Sequence, residues 1–302
     1  MAQTPPEFIK RLTDISQYNG RQFGRLQLLY EEENKFHQTA RTYQGYWALS
    51  DAFKCFFLET AEISNVHGRP QVTAPLSEHY GLMVPRIVHA FRYICGAEHL
   101  AEYGYPLQAL TVLRNIFDSL VLTSAVLQKW TDFYSIEGVT PGKAFDERAA
   151  LALRRRTEHA VRLKMTGSDS GLSQTAQEDL ALVDKVYDHE VHGARLSLAN
   201  ATSYLRGQRG LSIVPQFEEK QMAAFFNRLS DTAWMLHRLL PLLQPPKIEL
   251  PAPWAEKWRA LDDSFRYLIN ELTVQLGKTI GASAVEFVEA KFPFNEHSTF
   301  PL

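Results

Sequence analysis

The sequence lacks the features that mark several common classes of protein. It has only two cysteines in 302 residues, Cys55 and Cys95, so neither a disulfide framework nor a cysteine-based zinc site is available. Its 32 basic and 34 acidic residues give a net charge of -2, which excludes the strong positive charge of a general nucleic-acid binder. With 45% hydrophobic and 22% charged residues, the chain has the composition of an ordinary globular protein. Any positively charged binding surface must therefore be a local cluster of basic residues.

Long hydrophobic runs are also missing. The most apolar stretches, Leu120 to Leu127 and Met235 to Leu243, are well short of the roughly 20 residues that span a bilayer. The first residues lack the basic start and apolar core of a signal peptide. We therefore expect a cytoplasmic protein with no membrane partner.

Three catalytic signatures are absent as well. The chain has no glycine-rich phosphate-binding loop, no Gly-x-Ser-x-Gly turn and no His-Glu-x-x-His sequence. The sequence therefore gives no support for an ATPase, a serine hydrolase or a zinc protease. We predict neither a bound metal nor a cofactor.

Hydrophobic spacing is helical along nearly the whole chain. Near the start, apolar residues follow one another at steps of one, three and three, as on one face of a helix: Phe8, Ile9, Leu12 and Ile15. A strand-like run is confined to residues 211–214, which is too short for a sheet. We predict an all-α protein, a multi-helix bundle with a C-terminal helical appendage. Its main helices are predicted over 46–63, 85–103, 106–130, 144–165, 174–205, 217–243 and 254–276.

One proline-rich segment divides the chain. Residues 245–253 contain four prolines, which is typical of an extended, semi-rigid connector. We predict a helical bundle domain over residues 1–244 and the appendage over 254–302. The appendage is too short to form a sound core alone, so we expect it to pack on the main body or on a second copy of the chain.

The segment from Pro106 to Gln128 contains one charged pair in an otherwise uncharged helix. Arg114 and Asp118 are four residues apart, so their side chains lie on one face and can meet. A buried ion pair adds little net stability compared with apolar residues, although removing one partner costs about 3–5 kcal/mol. The pair is therefore either a functional site or a structural pair that orients the helix in the core.

A second polar stripe falls in a later predicted helix. Asp184, Asp188 and His192 recur every four residues, so they share one face, and Arg195 extends it. The stripe fits three interpretations: metal ligands, an acid/base histidine held by Asp188, or a solvated acidic helix face. The metal interpretation lacks the Glu-x-x-His sequence that di-metal helical bundles use.

Two of these segments carry a resemblance to known proteins. They are Leu113 to Leu120 and, later in the chain, Tyr187 to Gly193. With an Arg-x-x-x-acidic motif in one core helix and a His-Gly motif in a later one, the chain resembles a bacterial family of all-helical proteins of uncharacterised function. More distantly it resembles the HEPN superfamily of helical bundles, whose members include metal-independent RNases of toxin–antitoxin and phage-defence systems.

The resemblance implies a polar cluster between facing helices. In it, Arg114 would hold a phosphate and His192 would move a proton from a ribose 2′-hydroxyl. Asp118 or Asp188 would orient that pair. The superfamily's usual Arg-Asn-x-x-x-His sequence is changed here, because Ser119 stands where the histidine would be. By the resemblance, the imidazole would then come from His192.

The remaining local feature is basic. Arg154, Arg155 and Arg156 are consecutive in one predicted helix and are candidates for nucleic-acid contact, although consecutive residues spread around a helix. The sequence therefore leaves two functions open. One is an RNase-like or nucleotide-binding site in a bacterial defence or stress-response protein, with RNA or a nucleotide as partner. The other is a non-catalytic helical module that senses a protein partner or forms a homo-oligomer.

Overall fold

The chain folds into a bundle of helices, seen here in a computed structural model. It describes residues 20–68, 78–144, 146–191, 219–243, 250–276 and 280–298. In these residues there are ten α-helices, two short 3-10 helices and no strand, which confirms the predicted all-α bundle. The α-helices are α1 (Gly20–Ala40), α2 (Gln44–Gly68), α3 (Glu78–Glu102), α4 (Pro106–Leu127), α5 (Phe133–Glu137), α6 (Glu147–Thr166), α7 (Gln174–Val191), α8 (Glu219–Leu239), α9 (Ala252–Leu276) and α10 (Ile280–Lys291).

The central helix of the bundle is α4. It begins at Pro106, where a proline is favourable because the first helical residue needs no backbone N–H donor. It packs against α3 and α8, and most of its residues are buried. Counting consecutive apolar residues underestimated this helix, which is long and apolar enough as a whole to cross a membrane, but 67% of its most apolar stretch is buried inside the protein. Its apolar character is therefore accounted for by its place in the core.

Capping aspartates and one glycine set the position of α6. Asp132 begins α5 by accepting a hydrogen bond from the amide three residues on, at 2.9 Å. Asp146 begins α6 in the same way, accepting from the Arg148 amide at 2.9 Å. Between the two helices Gly138 has a φ of 73°, and a Cβ there would lie 2.4 Å from the Ala150 carbonyl oxygen. Glycine thus lets α6 pack closely on α5.

The C-terminal helices share the core of the bundle. Trp254, Trp258 and Phe265 of α9 are each at most 3% exposed, and Phe292 after α10 is fully buried. The Trp254 indole donates a hydrogen bond to the Thr60 hydroxyl of α2 at 2.8 Å. The predicted appendage therefore packs on the main body. The first five residues of the predicted connector, 245–249, lie outside the described residues.

The largest difference between a predicted and an observed helix boundary concerns the start of α3. The sequence prediction begins this helix at Pro85, whereas α3 begins seven residues earlier and contains that proline. A proline removes one backbone hydrogen bond but does not end a helix that packing stabilises. The helix predicted over 174–205 is described as α7 up to Val191. Residues 192–205 and the strand-like residues 211–214 lie outside the described part of the chain.

Candidate functional site

Arg114 and Asp118 meet, as their spacing predicts. The Nε atom of Arg114 lies 3.3 Å from Oδ2 of Asp118. The Arg114 side chain is 6% exposed and that of Asp118 is 32% exposed, so the pair runs from the interior toward the surface. On the outer side, the same Oδ2 accepts a hydrogen bond from Arg162 of α6 at 3.0 Å. One carboxylate therefore joins a buried arginine of α4 to a partly exposed arginine of α6.

A cavity opens beside this carboxylate, between α4 and α6. Its volume is about 390 Å³, within the range of roughly 300–1,000 Å³ that small-molecule sites occupy. Part of the wall is polar and comes from α4, and part is apolar. Three arginines, one from α3 and two from α6, complete the wall. The lining residues are Arg86, Asn115, Asp118, Ser119, Val121, Leu122, Arg154, Glu158, Val161 and Arg162.

Each of the three lining arginines is held by a carboxylate. Arg162 is held by Asp118, as described above. Arg154 donates from Nε to Glu158, four residues along α6, at 2.8 Å. Arg86 of α3 donates to a carboxylate oxygen of Glu137 of α5. A guanidinium group has five N–H donors in a planar fork, more than one such contact uses. The arginines are thus oriented by protein groups and retain the capacity to bind an anion.

A smaller cavity of about 30 Å³ adjoins the first. Asp118 and Arg162 line both cavities, so the two cavities share the side chains of this contact. The inner cavity is largely apolar, but Arg114 and Arg228 also line it. Arg228 forms an ion pair with Asp231 at 2.8 Å, and burial raises the pKa of Asp231 to about 6. Two further charged side chains of low exposure therefore line the inner cavity, and each is paired with a carboxylate.

The structure brings together only part of the site predicted from the sequence. Arg114 and Asp118 are in contact, but Arg114 lines the inner cavity and not the larger outer one. Asp188 belongs to α7, and its side chain lies outside the described part of the structure. His192 lies outside the described residues altogether. A contact of its imidazole with the Arg114–Asp118 pair stays a prediction.

The three consecutive arginines have different surroundings. All three are exposed, but only Arg154 is among the residues that line the outer cavity. The Nε atom of Arg156 donates to the Ala152 carbonyl oxygen of its own helix at 3.3 Å. Successive residues of a helix project about 100° apart, which is why only one of the three faces the cavity.

Two arginines of the cavity were not among the predicted site residues. Arg154, Glu158 and Arg162 recur every four residues on α6, a spacing that places them on one face of a helix. That periodicity is the signal by which Arg162 could have been found. Arg86 has no comparable signal, because tertiary packing of α3 brings it to the cavity.

A second polar cluster lies in the core and lines neither cavity. Nε2 of His237 donates to the Trp258 carbonyl oxygen at 3.0 Å, and the two rings stack at a centroid distance of 4.8 Å. Burial among aromatic rings lowers the pKa of His237 to about 3, so the ring is neutral near pH 7. The described part of the chain contains no group of three or more metal-binding side chains. Its hydrogen bond to the Trp258 carbonyl oxygen and its stacking on the Trp258 ring join α8 to α9.

Comparisons of this chain with protein-family models, with curated proteins and with solved structures gave no match. The lining residues alone therefore indicate which class of ligand the outer cavity suits. Guanidinium groups bind phosphate and carboxylate through charge-assisted, often bidentate hydrogen bonds. A cavity lined by both arginines and aliphatic side chains suits a ligand with an anionic group and a partly apolar body.

Proposed function

We propose that the outer cavity between α4 and α6 binds a nucleotide through its phosphate. The observation that carries the proposal is that Arg86, Arg154 and Arg162 line one cavity of about 390 Å³. These arginines come from two helices far apart in the sequence, so tertiary folding gathers them at one place. Arginine is well suited to this task, because its planar fork of donors matches the oxygens of a phosphate group.

The rest of the lining fits the body of a nucleotide. Val121, Leu122 and Val161 offer apolar surface for a base or a ribose. Asn115 and Ser119 carry hydrogen-bond donors and acceptors for polar edges. An inorganic anion would use the arginines alone, whereas a nucleotide uses both parts of the cavity.

The geometry supports binding more directly than cleavage. None of the described residues that line the outer cavity is a histidine. Metal-independent cleavage of RNA needs an acid/base group beside the ribose 2′-hydroxyl, and the two carboxylates that line the cavity, Asp118 and Glu158, are each paired with an arginine. The HEPN-like resemblance assigns that role to His192, which lies outside the described residues. RNA cleavage is therefore proposed separately from nucleotide binding. The HEPN-like resemblance also supports a role for the protein in bacterial defence or stress response.

Isothermal titration calorimetry without added metal tests the binding. The purified protein is titrated with the four ribonucleoside 5′-monophosphates and, in parallel, with the four nucleosides. At least one monophosphate is expected to bind about tenfold or more tightly than its nucleoside, a difference of about 1.4 kcal/mol, because only the monophosphate brings a phosphate to the arginines. Equal binding of every such pair, or no binding of any monophosphate, would contradict the proposal.

The cleavage step has its own test. RNA is incubated without metal with the wild type and with His192→Ala, after the two proteins have been shown to melt at the same temperature. Loss of cleavage in the variant supports the role of the imidazole, and cleavage that persists in the folded variant excludes it. If no nucleotide binds and no RNA is cleaved, the alternative is favoured, a non-catalytic module for a protein partner or a homo-oligomer.

A further inference from the structure

We infer that Asp118 is a positioning residue, which holds Arg162 in the orientation in which that arginine binds the ligand phosphate. The inference rests on the proposed nucleotide binding and concerns the same cavity. A carboxylate in the wall of an anion site is unfavourable by charge alone, because it repels the ligand. The contacts of Asp118 provide a structural reason for its presence.

Arg162 is held by a residue of a different helix. One of its Nη atoms donates to Oδ2 of Asp118 at 3.0 Å, across 44 positions of sequence. The Arg162 side chain is 43% exposed. Without this contact, a long and partly solvated side chain would sample many rotamers, and binding a phosphate would have to overcome that entropy. The contact with Asp118 fixes the guanidinium group at the cavity wall before a ligand enters.

Asp118 is itself fixed from the interior. Arg114, one turn earlier on α4, places its Nε atom 3.3 Å from the same Oδ2. The side chain of Arg114 is 6% exposed, so packing holds it in place. The series Arg114, Asp118 and Arg162 therefore links the rigid core of α4 to an arginine at the cavity surface.

Arg154 shows the contrast on the same helix. Its carboxylate partner is Glu158, four residues along the same helix, with side chains 57% and 35% exposed, against 43% and 32% for Arg162 and Asp118. The two pairs thus differ little in exposure, and the difference lies in what each carboxylate is attached to. The Asp118–Arg162 contact joins two helices and has a buried support, so it is the stronger constraint on an arginine of α6.

Charge and positioning predict opposite effects of substitution. Asp118→Asn removes the negative charge at nearly constant size, and Asp118→Glu keeps the charge but moves the carboxylate by one methylene. If Asp118 acts on the ligand only through its charge, the first variant binds a phosphate more tightly and the second binds it as the wild type does. If Asp118 positions Arg162, both variants bind the phosphate more weakly.

The experiment measures the affinity for the four monophosphates and the four nucleosides by calorimetry. It uses the wild type, the two Asp118 variants and Glu147→Gln, a control that removes an exposed acid from the first turn of α6. We expect about tenfold weaker monophosphate binding in both Asp118 variants, about 1.4 kcal/mol. The nucleoside affinities of the two Asp118 variants are expected to equal those of the wild type. The Glu147→Gln control is expected to bind both kinds of ligand as the wild type does. A variant that is only less stable would bind both kinds of ligand more weakly. It would therefore keep the wild-type ratio of monophosphate affinity to nucleoside affinity.

The outcomes separate this inference from the proposed function. Unchanged or tighter monophosphate binding by a folded Asp118→Asn protein overturns the positioning role while the proposed function stands. If that variant does not fold, unchanged binding by Asp118→Glu overturns it in the same way. A wild type that binds no monophosphate overturns both.

Discussion

The guanidinium group of Arg238 makes a two-point contact with the carboxylate of Asp262. Its Nε and one Nη atom donate to the two carboxylate oxygens at 2.9 and 3.0 Å, and both residues are buried. The Trp234 indole donates to the same carboxylate at 2.6 Å. Arg238 also donates to the Phe292 carbonyl oxygen at 3.1 Å. One interior network therefore joins α8, α9 and the segment after α10.

Replacing Asp262 tests this network. Asp262→Ala is expected to lower the free energy of unfolding by about 3–5 kcal/mol, because it leaves the charge of Arg238 buried without this partner. The adjacent Asp263 is a matched control, since its side chain is 75% exposed, and Asp263→Ala is expected to change stability by no more than about 0.5 kcal/mol. Urea unfolding followed by circular dichroism measures both. Equal losses in the two variants would show that the network does not stabilise the protein.

A second prediction concerns the burial of α9. Phe265 is 2% exposed and packs against Phe53 of α2 at a ring-centroid distance of 5.8 Å. Phe265→Ala is therefore expected to destabilise the protein by about 3–5 kcal/mol, through lost apolar contact and the cavity that remains. Tyr267, two residues on, is 67% exposed, and Tyr267→Ala is expected to have little effect. A Phe265→Ala protein as stable as the wild type would mean that α9 does not contribute to the common core.

The third prediction is a pH dependence of stability. Burial lowers the pKa of His237 from 6.5 to about 3 in the folded protein. The unfolded chain therefore binds a proton below pH 6.5 that the folded protein does not, so the contribution of His237 to stability falls as the pH falls from about 6.5 toward 3. Asp231, whose pKa burial raises to about 6, contributes with the opposite sign in this range. Between pH 7 and pH 5 this histidine is expected to account for a loss of about 2 kcal/mol.

The variant His237→Gln isolates this contribution. Whatever its stability at pH 7, it is expected to lose less stability than the wild type between pH 7 and pH 5 in urea titrations. His159 of α6 is exposed, so His159→Gln is the control and is expected to keep the slope of the wild type. If His237→Gln shows the wild-type slope as well, the folded protein accepts a proton at this ring.

The helical class could be predicted because it is a local property. Apolar residues that recur with the period of a helix indicate the same structure wherever the helix finally packs. The place of α9 could not be predicted in this way. Trp254, Trp258 and Phe265 indicate an apolar face, but the surface that this face meets depends on long-range partners such as Thr60 of α2. The sequence therefore allowed either the main body or a second chain as the partner.

The candidate site was predictable where its contacts lie within one helix. The pairing of Arg114 with Asp118 follows from their spacing, and the structure shows it. The contact of Asp118 with Arg162 depends on how α4 and α6 pack, so no local pattern reveals it. The same holds for Arg86, which reaches the cavity from α3. The four-residue spacing of Arg154, Glu158 and Arg162 is the local pattern on α6 that indicates Arg162 as a site residue.

The proposed nucleotide binding depends on contacts between the arginines of the outer cavity and the ligand phosphate. The most direct measurement compares monophosphate affinity between the wild type, Arg162→Gln and Arg155→Gln. Both variants remove one positive charge from α6, but only Arg162 lines the cavity, whereas Arg155 is exposed elsewhere on the helix. Arg162→Gln is expected to weaken binding by about tenfold or more, whereas Arg155→Gln is expected to change it by less than about twofold. Equal losses in both variants, or no loss in Arg162→Gln, would contradict the proposed binding.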